Sequence, residues 1–252
     1  MTRKMVVAPH PDDEVLGCAS MLLSSEVTVV HVTDGVPPWT AKADREGLEA
    51  QRGMECIDAW GVLSCRADRV HLGFPDLTAW QAVEEIADSL ARAIDTAGCE
   101  EVYLPAYQGG HPDHDASCLA GMVARQLLRP GVVQAWWVYG LYGFDEARRV
   151  CFGWLPPSLY GPTETRGEDS DLLRGKAEAL SRFTSQVWPE SALDLWIRHP
   201  VPERFAPLPA SWDRLPDLPC YYDEVLGFAR HGASALAVAA AFNRVLGARS
   251  LH

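Results

Sequence analysis

The strongest constraint on the fold is a regular alternation of short β-rich runs with helical stretches over the first 140 residues. The β-rich runs lie at 4–8 (KMVVA), 27–32 (VTVVHV), 69–72 (RVHL), 101–105 (EVYLP) and 134–139 (QAWWVY), and the stretches 14–23, 42–60, 80–97 and 116–128 between them read as helices. Strands that alternate with helices predict βαβ units with right-handed crossovers. The expected fold is therefore α/β and Rossmann-like, a mostly parallel sheet with helices on both faces. Within 42–60, Leu48, Met54, Ile57 and Trp60 are the predicted core positions. Beyond residue 140, 153–167 reads as a loop, 172–183 as a helix, 186–220 as an irregular stretch rich in proline and tryptophan, and 222–247 as a helix in two pieces. With 252 residues, 48% of them hydrophobic, the chain has the length and core for one domain over 1–252, in which 186–252 would supply pocket-wall loops and C-terminal helices.

Two motifs carry the chemistry. His10-Pro11-Asp12-Asp13-Glu14 stands where the first strand gives way to the first helix, and His111-Pro112-Asp113-His114-Asp115 follows the strand at 101–105. Open α/β sheets bind ligands at the carboxyl ends of their strands, so two motifs a hundred residues apart can meet in space. Catalytic zinc takes three protein ligands from His, Asp or Glu and keeps a position for water. His10, Asp13 and His114 could supply those ligands, with Asp12 as general base beside the water. Iron(II) or cobalt could use the same donors.

The formal net charge of −12 disfavours nucleic acid and anionic membranes as partners, since both need a basic footprint. It leaves a small molecule as the expected partner and homo-oligomerisation open. The seven cysteines are odd in number and form no CxxC pair, so they read as buried thiols of a reducing compartment. The sequence enters its first strand with no apolar leader, which makes a cytoplasmic protein the expectation.

Together the two motifs resemble those of the LmbE/PIG-L family of zinc-dependent N-deacetylases. Pro9 to Glu14 matches its PHPDDE-type box and His111 to His114 its HPDH-type box. Weaker matches are Asp34-Gly35, the pair Arg52 and Glu55, the turn Gly73-Phe74-Pro75-Asp76, and Lys176 with Ser185-Gln186. The resemblance covers about residues 4 to 187. It implies that His10, Asp13 and His114 bind Zn2+ and that Asp12 is the general base. It further implies that His111 polarises the acetyl carbonyl or protonates the leaving amine, and that Asp113 orients His111. The implied substrate is an N-acetylglucosamine-type conjugate or a related N-acetylated small molecule. Some relatives place a tyrosine where this chain has Gly109, and the nearest tyrosine here is Tyr107.

The remaining candidates each have two readings. Asp34 could touch substrate or close an Asx turn with Gly35. Arg52 could clamp a sugar hydroxyl or sit in a surface salt bridge. Asp76 could face substrate or cap the next helix. Lys176, His31 and His71 read as structural, and Trp136, Trp137 and Trp188 as core fillers, with one exposed tryptophan expected near a sugar site. Alternatives to deacetylation are a metal-dependent phosphoesterase, which needs more bridging carboxylates, and a catalytically inactive ligand-binding relative. A nucleotide-binding module is disfavoured because the first strand leads into HPDDE and not GxGxxG.

Overall fold

A computed structural model describes residues 2–24, 26–145, 147, 149–186, 191–210, 212, 216, 218–224 and 226–249. Trp188 and His252 lie outside them. In chain order the first elements are β1 (Lys4–Ala8), α1 (Asp13–Leu22), β2 (Val27–Thr33), α2 (Lys42–Val62), β3 (Asp68–Phe74), α3 (Val83–Ala97), β4 (Glu101–Pro105), α4 (Pro112–Leu127) and β5 (Ala135–Tyr139). They form the expected parallel sheet, in the order β3-β2-β1-β4-β5. The order reverses direction between β1 and β4, and crevices at such a switch point are where doubly wound sheets bind ligands.

The strands are short and apolar because both faces are covered. Along β1, Met5 and Val7 face α3, α4 and the C-terminal helix, packing with Ile86, Leu90, Leu119 and Phe242. Val6 and Ala8 face the other way, packing with Val15, Leu22, Cys56, Trp60 and Leu180. Residue 5 and residue 6 thus belong to separate cores, as the two-residue period of a strand requires.

The second half of the chain holds more structure than its sequence suggests. It comprises a hairpin of β6 (Tyr142–Phe144) and β7 (Val150–Phe152), a short α5 (Pro157–Tyr160), β8 (Glu164–Arg166), α6 (Ser170–Leu180), α7 (Ala192–Arg198), β9 (Glu203–Pro207), α8 (Tyr221–Glu224) and α9 (Ala235–Arg249). The stretch 186–220, expected to be irregular, contributes α7 and β9. The latter runs antiparallel to β5 and carries β8 on its far edge. The loop expected at 153–167 likewise contains α5 and β8. These strands escape a reading by hydrophobic pattern because β9 has only Phe205-Ala206 before Pro207, and β8 is the polar edge segment ETR.

One core expectation is corrected. Met54 and Ile57 are 65% and 61% exposed, and Leu48 is half-buried, while α2 buries Arg52, Glu55, Cys56, Ala59 and Trp60. Residues two positions apart lie on nearly opposite sides of a 3.6-residue turn. A face that aims Arg52 and Glu55 inward therefore turns Met54 and Ile57 to solvent. The cysteines are also only partly as expected: Cys18, Cys56, Cys99 and Cys118 are buried, whereas Cys65, Cys151 and Cys220 are partly exposed.

Candidate active site

Both motifs sit at the carboxyl ends of adjacent strands, each at the start of a helix. Pro9 ends β1 and leads into α1, whose first turn carries Asp13 and Glu14. Asp12, at the N-cap, has φ 149°, a conformation that L side chains rarely adopt. Such a residue stores roughly 1–3 kcal/mol of strain and persists only where its surroundings hold it. Here its backbone N–H donates to Glu14 Oε2 at 3.1 Å. Glu14 is fully buried and is itself fixed by His31 Nε2 at 3.1 Å and Trp60 Nε1 at 2.8 Å. Arg69 Nε donates to His31 Nδ1 at 3.0 Å and completes the chain. His31 is a core residue, as expected, and a link behind Asp12.

At the second motif, His111 caps α4 and Pro112 occupies the first turn, where a missing N–H costs nothing. His111 Nδ1 accepts from the Asp113 backbone N–H at 3.2 Å, which assigns the ring proton to Nε2. Burial above all, then His10 and His114, holds His111 well below the usual histidine range. It is therefore a neutral ring with an N–H to donate.

The motifs meet through Asp13. Its Oδ2 lies 3.1 Å from His10 Nδ1 and 3.2 Å from His114 Nε2. His114 Nε2 is buried and, despite that proximity, makes no hydrogen bond of acceptable geometry among the described residues. Burial keeps His114 below the usual histidine range, which favours the neutral ring that a metal ligand must be. Donors about 2.0–2.1 Å from a tetrahedral zinc stand roughly 3.3 Å apart, close to the two Asp13 separations. His10, His111 and His114 also place one donor each within 4.8 Å of the others. The Nε2 proton of His111 argues against that ring as the third ligand and for Asp13. On these observations the residues fit a zinc-type ion.

The structure assigns Asp113 a different partner from the one expected. Its carboxylate accepts from the backbone N–H groups of Leu77 at 2.7 Å and Ala79 at 3.0 Å, and lies 3.3 Å from His10 Nε2. This carboxylate contacts His10 and not the His111 ring, and the turn at 75–79 holds it there through those two N–H groups. Asp76 Oδ1 joins it, 3.2 Å from the same His10 nitrogen. A ligating histidine with carboxylates on its far nitrogen is a recurrent metal-site arrangement. Burial would lower His10, but Asp113, Asp13 and Asp76 outweigh it and raise it well above the usual range. Asp12 is raised, first by burial and then by Asp13. A cation bound beside Asp12 would favour its ionised form.

His10, Asp12, Asp13, His111 and His114 line a cavity of about 340 Å3. Arg52, Asp76 and Gln186 line it, and Arg52 Nε is buried with no hydrogen-bond partner among the described residues. Asp34 is not part of the lining. It closes the Asx turn with Val36 N at 2.8 Å, accepts from Asp76 N at 3.0 Å and pairs with Arg45 at 2.9 Å, so it positions Asp76 from behind. Glu55 accepts from Thr184 Oγ1, Ser185 N and Ser185 Oγ at 2.6–2.9 Å, and Gln186 Nε2 donates to Pro11 O at 2.9 Å. Those bonds tie the late Ser-Gln element to the first motif. Lys176 is structural but not on the surface. It is buried in an ion pair with Glu203 at 3.2 Å.

Sequence reasoning missed three groups. Tyr142, from β6, lines the cavity with its ring 5.1 Å from that of His114, while Tyr107 packs away against Tyr160 and Trp212. Gly110 admits this approach, since a Cβ there would overlap the Tyr142 carbonyl, while Gly109, with φ +68°, lies against Pro219. Among the described residues, the exposed tryptophan that lines the cavity is Trp39. Leu226, Phe228 and Arg230 come from the C-terminal segment, where no motif marks them. Trp136 and Trp137 are instead in β5, half-buried.

Residues 5–125 match the family model described as PIG-L: GlcNAc-PI de-N-acetylase. No curated protein matches the chain in sequence. Among solved structures, the zinc-inhibited form of teicoplanin deacetylase Orf2 aligns at TM-score 0.59 and 21% identity, covering 82% of this chain and 97% of that one. N,N'-diacetylchitobiose deacetylase from Pyrococcus horikoshii aligns at TM-score 0.57 and 18% identity, covering 77% and 73%. The 4-carboxy-2-hydroxymuconate hydratase GalB from Pseudomonas putida KT2440 aligns at TM-score 0.51 and 15% identity, covering 86% and 100%. The fold thus hosts more than one reaction, and the reaction has to be argued from the site.

Proposed function

We infer, from the membership of this chain in the PIG-L (LmbE-like) family, that it is a zinc-dependent N-deacetylase. Its substrate would be an N-acetylglucosamine-type conjugate or a related N-acetylated small molecule. The observation that carries the metal dependence is the buried, unbonded His114 Nε2 beside Asp13 and His10. His10, Asp13 and His114 would hold the ion. When bound, zinc supplies Lewis acidity toward the amide carbonyl and acidifies water.

The chain's own residues divide the remaining work. Asp12, held in a strained conformation through Glu14, removes a proton from the attacking water. His111 donates from Nε2 to the carbonyl oxygen as negative charge grows there, a contribution worth roughly 2.7–4 kcal/mol in comparable sites. The proton taken by Asp12 passes to the nitrogen as the C–N bond breaks, giving acetate and a free amine. Asp113 and Asp76 hold His10 in orientation, and Arg52 offers its free Nε–H to a substrate oxygen.

A phosphoesterase is the weaker reading. His10, Asp76 and Asp113 also cluster, but the two oxygens of Asp113 already accept two backbone N–H groups, which leaves little for a second metal. Acetate release from a panel of N-acetylated sugars by the zinc-loaded protein tests the proposal. Phosphate release without acetate release would reverse the ranking.

A further inference from the structure

Resting on that reading, we propose that the substrate carries an apolar planar group next to its amide, received by an aromatic wall formed by Phe228 and Trp39.

Besides the His and Asp cluster, the cavity is lined by apolar residues, among them Leu193, Leu226, Phe228, Trp39 and Pro37. The aromatic residues form a track. The Phe228 ring stands edge-on to His111, with centroids 5.2 Å apart, and Trp39 follows, 6.3 Å from Phe228. Phe228 therefore begins where the carbonyl-polarising ring ends, and Trp39 continues toward solvent.

Trp39 is 54% exposed even though the His231 ring stands 4.5 Å from it. A large aromatic kept this open beside a catalytic cavity leaves apolar surface for a ligand to cover. Aromatic pairs prefer offset or edge-on contacts with centroids 4.5–7 Å apart, so a planar substituent within one ring's reach of the amide meets both side chains. The wall joins two distant parts of the chain, the loop before α2 and the segment between α8 and α9, and the latter lies beyond the family-matched residues. Substrate choice can thus vary while the hydrolytic motifs stay fixed.

The geometry leaves the group on either side of the amide, so the test has two arms. Metal-loaded wild type, Trp39→Ala and Phe228→Ala would be compared on methyl and phenyl N-acetyl-glucosaminides, and on N-acetyl- and N-benzoylglucosamine. Acetate or benzoate release and calorimetric binding would both be measured. The expected result is a preference of roughly tenfold or more for one phenyl-bearing compound, a factor typical of one well-packed ring. In both variants the preference collapses through KM and Kd, and the phenyl compound loses several-fold more than the methyl glycoside. Trp39→Phe should restore most of it. Equal binding of apolar and plain compounds to wild type, or equal loss on both in the variants, overturns the proposal. Preferential binding of a phenyl compound without hydrolysis would uphold the aromatic wall and refute the deacetylase reading, which keeps the two failures apart.

Discussion

Replacement of Asp113 separates the observed arrangement from the one the family resemblance implies. Its carboxylate accepts two backbone N–H groups and faces His10 Nε2, and the side chain is fully buried. In Asp113→Ala two buried donors lose their acceptor, at about 1–3 kcal/mol each, so a loss of roughly 2–6 kcal/mol of stability is expected. Asp113→Asn is the finer probe. Its amide oxygen can still serve one backbone donor, but the amide nitrogen turns a donor toward the other donors in the ring of contacts. Loss of a partner that orients a ligating histidine typically costs 10–100-fold in metal affinity, or about 1.4–2.7 kcal/mol. The assay is zinc titration of the apo protein against a competing chelator, with His111→Ala as the comparison. Asp113→Asn should weaken zinc binding by that factor while His111→Ala leaves it near wild type and lowers kcat. Unchanged zinc affinity in Asp113→Asn, with kcat reduced as in His111→Ala, would refute the assignment of Asp113 to His10.

Two further outcomes follow from the same loops. Asp115 accepts from Gln108 N and Gly109 N, its other oxygen has no partner among the described residues, and burial pushes it from 3.8 up to about 7. Between those values the folded state binds the proton and the unfolded state does not, so this group's contribution to stability is greatest below about pH 4 and falls as pH rises to about 7. Asp115→Asn should flatten that part of the pH–stability curve measured by denaturant unfolding; an unchanged slope would refute the assignment. Gly110→Ala places a methyl on the Tyr142 carbonyl, and overpacking of this kind costs about 1–3 kcal/mol. Its Tm should fall and its activity drop more than its folded fraction; wild-type activity in the variant would show that the hairpin gives way freely.

The parallel half of the fold was legible because buried parallel strands write themselves as apolar runs between helices. The proposed metal ligands and base could be picked out because two motifs fell at strand ends, and the structure brings His10, Asp13 and His114 close together. What escaped was set by long-range contacts. The face of α2 is set by Glu55 reaching Thr184 and Ser185 and by Arg52 lining the cavity, which no hydrophobic period of that helix reports. The partner of Asp113 depends on where the turn at 75–79 lands. Phe228 and Trp39 belong to segments that only the fold brings to one cavity, and β9 is held in the sheet by its pairing with β5 more than by its own sequence.

The central claim is that Asp13 binds the metal while its neighbour Asp12 moves the proton. It is tested most directly by measuring zinc stoichiometry and acetate release together in wild type, Asp12→Ala and Asp13→Ala. The account predicts that Asp12→Ala retains zinc and loses activity by roughly 10²–10⁴-fold, as for a single acid–base residue, whereas Asp13→Ala loses both. Zinc lost from Asp12→Ala and retained by Asp13→Ala would contradict it.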